Sequence, residues 1–133
     1  MRTIKFRGRR TSDRKWIYGD LKKLEPFGFF IHGYDGEFCL NFGVDTETVG
    51  QFTGLYDKNG NEIYEGDILQ FGNIPGDVCE VKWNETLCAF GVRFYCENEF
   101  DKRTLGEWLK REIYVRIIGN IHDNPEILKG GEK

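Results

Sequence analysis

In TGLYDKNGNEIYEGDIL, residues 53–69, Asp57, Asn59, Asn61, Glu62, Glu65 and Asp67 crowd oxygen-bearing side chains together. Alternating Asp and Asn is the donor pattern of a calcium loop, whose first, third and fifth positions supply oxygens. Asp57, Asn59 and Asn61 fit those positions. The sixth position needs glycine for the sharp turn and is Glu62; the twelfth needs a bidentate carboxylate and is Ile68. The flanks are β-prone rather than helical. The stretch therefore reads as two turns. Asn59-Gly60 tolerates the positive φ of a tight hairpin, and Asp57 can accept hydrogen bonds from the backbone ahead of it. Glu65-Gly66-Asp67 makes the second reversal. A surface metal site built from Asp57, Glu65 and Asp67 is the residual alternative, and its chemistry would be metal-dependent hydrolysis.

Other catalytic patterns are missing. The chain has no G-x-x-x-x-G-K-[ST], no G-x-S-x-G and no H-E-x-x-H, and its glycines lack the strand-to-helix setting of a phosphate loop. Four cysteines, Cys39, Cys79, Cys88 and Cys96, lack C-x-x-C spacing, and only His32 and His122 could join them, which argues against structural zinc. They read as free, buried thiols in a reducing compartment. A Cys-His nucleophile would need one of those histidines beside one of those cysteines, and nothing local indicates it. His32 lies in an aromatic run and reads as a packing residue. The expectation is a protein that is not an enzyme and holds no cofactor.

Net charge is −3, but unevenly spread. Residues 1–24 carry nine Lys or Arg against two Asp, a net of +7; the remainder carries ten against twenty, a net of −10. Lys5, Arg7, Arg9, Arg10, Arg14 and Lys15, interleaved with Phe6, Trp16 and Tyr18, could join phosphate contacts to base stacking, making nucleic-acid binding one functional alternative. The same head could instead pair with the chain's own acidic part or a neighbour's. No run of about 18 apolar residues offers a membrane span, and MRTIKFRGRR lacks the apolar segment of a secretory signal. A cytoplasmic protein without a membrane partner is expected.

The elements that must position these residues are mainly β. At 133 residues the chain allows one ordinary domain or two small subdomains, and its 15% aromatic content points to packing by rings. Alternation predicts strands over 3–8, 16–21, 27–33, 37–42, 67–71, 78–83, 88–95 and 113–118, separated by Gly, Asn and Asp. Residues 44–50 read as a connector in preference to a helical turn. Leu105, Trp108 and Leu109 at helical spacing predict a short helix over 104–111, although Gly106 weakens it by about 1 kcal/mol. Asn124-Pro125-Glu126 is expected to end the fold.

These segments carry a resemblance. Ile4-Lys5-Phe6-Arg7, then Trp16-Ile17-Tyr18-Gly19, then VDTETVGQFTGLYDKNGNEIYEGDIL, and finally Ile118-Gly119-Asn120-Ile121 with Asn124-Pro125-Glu126-Ile127, are similar to the pattern of the YopX family of phage and prophage proteins. Thr46 stands where that pattern usually has Pro, and Arg9 where it often has Trp. The resemblance implies an N-terminal β-rich subdomain (1–55) packed on a C-terminal SH3-like small barrel (56–128), a polar tail (129–133), one or two short helices, and a bacterial host. It implies no activity and no catalytic residue. The functional expectation is a non-enzymatic module binding a protein partner or itself, through strand edges and aromatic surface.

Overall fold

The structure is a computed structural model that describes residues 1–72, 78–95, 100–112 and 114–130. The chain divides into two compact units, Met1–Gly54 and Leu55–Lys133. Both are built from antiparallel strands, as the alternation predicts, with a few short helical segments.

In the first unit, β1 (Phe6–Arg9), β2 (Trp16–Leu24), β3 (Gly28–Tyr34), β4 (Cys39–Gly43) and the start of β5 (Gly50–Tyr56) pair in the order β4-β3-β2-β1-β5. Side chains alternate across a strand, so one face carries Ile17, Ile31 and Val44 packed with Phe6, Leu21, Phe29 and Phe42. The other face of β1 and β2 carries Arg7, Arg9, Trp16 and Tyr18, with Arg7 opposite Tyr18 and Arg9 opposite Trp16.

Two glycines set how closely β2 and β3 approach. Gly19 faces Gly33 across the ladder; a Cβ on Gly19 would lie 1.9 Å from the His32 carbonyl oxygen, and one on Gly33 2.3 Å from that of Tyr18. The glycine after Trp-x-Tyr is thus a demand of backbone contact. Beyond β4, the stretch expected to be a connector contains a 3₁₀ turn, Thr46–Thr48. Hydrogen bonding decides it: the Asp45 side chain accepts from the Glu47 N–H at the turn's start. The Thr48 hydroxyl donates to the Asp45 carbonyl (2.7 Å) and accepts from the Arg9 N–H (2.9 Å), fastening the turn to β1.

In the second unit β6 (Glu62–Tyr64) runs back along the end of β5. A five-stranded sheet follows, built from β7 (Asp67–Phe71), β8 (Val78–Asn84), β9 (Ala89–Phe94), β10 (Phe100–Thr104) and β11 (Val115–Asn120) in the order β10-β9-β8-β7-β11. Its core is Ile63, Leu69, Phe71, Cys79, Val81, Val92, Leu105 and Val115. Burying an Ile, Leu or Val side chain contributes about 1.5–3 kcal/mol, so this cluster accounts for much of the unit's cohesion. Helix α1 (Leu105–Arg111) forms despite Gly106 because Thr104 and Glu107 make a reciprocal capping box, and Lys110 and Arg111 suit its C-terminal end. It delivers the Trp108 ring to Phe71 (5.0 Å between centroids) and Phe94 (5.4 Å), while the indole N–H donates to Asp101 (3.0 Å).

Several expectations shift. The first strand begins at Phe6, not Thr3, and β10 falls where no strand is predicted. Asn124-Pro125-Glu126 does not end the fold: α2 (Pro125–Gly130) starts there, proline suiting a first helical position. Ile113, Cys96 and residues 131–133 of the expected tail lie outside the described residues.

Gly19→Ala should lower stability by about 1–3 kcal/mol, the usual cost of overpacking, read as a reduced urea midpoint. An unchanged midpoint would show that the β2–β3 approach relaxes freely.

Candidate functional site

Two carboxylates of the opening stretch, Asp57 and Asp67, are buried, while Asn59 and Asn61 are exposed. Asp57 is 6% exposed. Its Oδ1 accepts from the backbone N–H groups of Asn59 and Asn61 (both 2.9 Å), and its Oδ2 from the Asn61 side-chain amide (3.3 Å) and the Ile117 N–H (3.1 Å). The Lys58 N–H adds a bond to the Val115 carbonyl (3.0 Å), so the turn is fastened to β11. Burial pushes the Asp57 pKa up, but the donations from Asn61, Ile117 and Asn59 outweigh it and leave the group below the ordinary carboxylate value. Asp67 is buried and accepts from the Tyr64 N–H (2.8 Å), closing the second turn over Gly66, whose φ of 90° favours glycine. Glu65 is half-buried beside it. Among the described residues, no group of three or more His, Cys, Asp or Glu side chains is placed to share a cation, and Asp57, Glu65 and Asp67 are not brought together as such a group.

The basic head is largely engaged with its own unit. Arg7 is 7% exposed, with its guanidinium 4.8 Å from the Trp16 ring centre; Arg9 lies 5.4 Å from the same ring. The register explains this pairing, since Arg9 faces Trp16 directly and Arg7 diagonally. Lys5 sits 5.5 Å from the Phe52 ring centre. Arg10 pairs with Asp13 and with Asp35 (3.3 Å) and lies over Phe42. The Arg10 guanidinium, with the Lys15 N–H, holds the Asp13 carboxyl down to about 2. Arg14 and Lys15 remain exposed at the β1–β2 turn, and Tyr18 is 45% exposed.

A different constellation lies on the β3–β4 hairpin, where sequence reasoning placed nothing. His32 faces Asn41 across the ladder, and Cys39 occupies the diagonal position on the same face. His32 Nδ1 lies 2.9 Å from Asn41 Oδ1, and His32 Nε2 lies 3.5 Å from Cys39 Sγ. His32 is half-buried and its ring is committed to this polar pair; Cys39 and Cys88 are exposed, whereas all four cysteines were expected inside. Only Cys79 among the described thiols is buried, and burial pushes its pKa far up. One signal could have revealed the pairing. Asp35-Gly36 marks the reversal, whose centre falls at Gly36-Glu37, and counting outward from there sets His32 against Asn41.

The β4 edge itself is open over much of its length. Cys39, Leu40 and Asn41 are exposed, while Gly43 is held by the Thr11 N–H (3.1 Å) and Val44 bridges Arg10. The strand CLNFG has no charged residue; edge strand β10, by contrast, carries Asp101, Lys102 and Arg103, and edge strand β11 carries Arg116 and a register shift near Ile117.

The family model described as YopX protein matches residues 5–129. No curated protein matches the chain. Among solved structures, the chain is similar to the crystal structure of protein EF1440 from Enterococcus faecalis, with a TM-score of 0.61 and 24% identity over 96% of this chain and 99% of that one, a likeness of fold.

The Asp57 geometry makes a pH-dependent prediction. Its folded pKa is depressed, so its contribution is present above the unfolded value of about 3.9 and is lost as pH falls through the folded one. Asp57→Asn should cost about 1–3 kcal/mol at neutral pH, and the gap to wild type should narrow below about pH 4, followed by urea titration. A gap constant across that range would deny the carboxylate this role.

Proposed function

We propose that this chain, which belongs to the YopX protein family, is a non-enzymatic interaction module that takes up a protein partner, or a second copy of itself, by strand addition at β4. The observation that carries the reading is the uncharged, exposed run Cys39–Asn41 at a sheet edge. Exposed edges template another strand unless charge, proline or a bulge blunts them, and β10 and β11 have such protection where β4 does not. Tyr34 and Phe38, 64% and 54% exposed, stand beside the edge and offer the apolar anchors that backbone pairing lacks. In this reading the second unit is an SH3-like barrel, supported by its five antiparallel strands. The protein works in the reducing cytoplasm of a bacterial host as a phage or prophage product, supported by the family pattern and by its free thiols.

Nucleic-acid binding is the second reading, favoured by exposed Arg14, Lys15 and Tyr18 on one turn and strand. The pairing of Arg10 with two aspartates and the burial of Arg7 weaken it. A metal-dependent hydrolase draws less support still, because Asp57 spends its oxygens on backbone donors.

Leu40→Lys should reduce self-association or partner retention by about tenfold, or 1.4 kcal/mol, while far-UV circular dichroism stays unchanged. Sedimentation velocity and a pull-down from prophage-induced cells read the two arms. A wild-type chain that is strictly monomeric and retains no protein would sink the proposal. For nucleic acid, four neutralised phosphates would give a log-log salt slope of about −3.6. With Arg7 and Arg10 engaged, about two neutralised phosphates remain and the expected slope on duplex DNA is about −1.8, and a flat response removes this second reading.

A further inference from the structure

The hairpin β3–β4 carries three groups in the order of an activated nucleophile: a thiol, an imidazole within reach of it, and an amide oxygen on the far ring nitrogen. Asn41 presents Oδ1 to His32 Nδ1 at 2.9 Å. An acceptor there assigns the ring proton to Nδ1 and leaves the Nε2 lone pair toward the Cys39 S–H, 3.5 Å away. All three side chains project from adjacent paired strands, so backbone pairing fixes their spacing and no loop rearrangement is needed. Asp20 is the register partner of His32 on the other neighbouring strand, β2. Tyr34, opposite Cys39, is the other titratable group of the hairpin face, and its hydroxyl donates to the Gly36 carbonyl (2.8 Å).

We propose that Cys39 is a nucleophilic thiol, with His32 as its base and Asn41 as the positioning residue, whose substrates are disulfides. The site is exposed, which suits an electrophile that brings its own leaving group and needs no closed pocket. The reaction is a stoichiometric exchange. His32 Nε2 takes the Cys39 proton; the sulfur attacks one sulfur of a disulfide R–S–S–R; a Cys39–S–S–R bond forms as the S–S bond breaks; the departing R–S⁻ recovers the proton from the imidazolium. No further oxidant enters, and the same thiol can form a mixed disulfide with a partner protein. This inference does not depend on docking at β4, and its readout is separate from association.

Cys88 is the internal reference. It is also exposed, but its thiol donates to the Glu85 carbonyl (3.4 Å) in a turn. The full chain is treated with glutathione disulfide, and each cysteine's modification is followed by peptide mass spectrometry from pH 5 to 8. Cys39 should react at least about tenfold faster than Cys88 near neutral pH. His32→Gln should bring Cys39 to the Cys88 rate and remove an inflection from its pH profile, leaving Cys88 unaltered. Asn41→Ala should slow Cys39 and move that inflection, a change that a purely structural loss would not produce. Circular dichroism verifies folding of each variant, and Asn41→Ala serves alone if His32→Gln does not fold. A wild-type ratio below tenfold, or one retained in either folded variant, overturns the proposal.

Discussion

The Asp57 carboxylate is the constraint on which the second unit's turn arrangement depends. A turn of five residues leaves several backbone N–H groups pointing inward, and a buried unpaired donor costs about 1–3 kcal/mol. One side chain answers them and also reaches the Ile117 N–H sixty positions away, so a local reversal and the edge strand β11 share a single anion. The Lys58–Val115 bond runs beside it. This makes the oxygen-rich stretch intelligible without a ligand: Asp57 and Asp67 are acceptors for the chain's own amides.

The strand pattern was legible because alternation over four or more residues is a direct consequence of pleating. Residues 67–71, 78–83 and 88–95 lie in or beside observed strands for that reason. Shorter features were not. The turn Thr46–Thr48 is too short to show a period, and it exists because Thr48 bridges Asp45 and Arg9, a tertiary bond. β10, FDKRT, has three charged residues and no alternation; its identity as a strand comes from pairing with β9.

The candidate sites divide in the same way. The basic head was visible as composition, yet composition could not say that Arg7 and Arg9 would share the Trp16 ring or that Asp35 would reach Arg10. Cysteine burial was misjudged because a free thiol's usual place is the core, whereas Cys39 falls on an edge strand and Cys88 in a turn. The Cys39–His32–Asn41 arrangement needed hairpin register, not residue type. It also lies outside the stretches that carry the family resemblance, and those stretches are occupied by structural duties: Asp45 and Thr48 in a clasp, Asp57 and Asp67 in turns, Gly19 in a close approach.

The facing pair Gly19 and Gly33 has a consequence for how the first sheet is assembled. In the native register each of the two positions lies against a carbonyl of the opposite strand that only a hydrogen can approach. The two strands therefore meet backbone to backbone there, and a side chain at either position would push β2 and β3 apart. β4, paired to β3, thus lies on a strand whose distance from β2 the glycine pair sets.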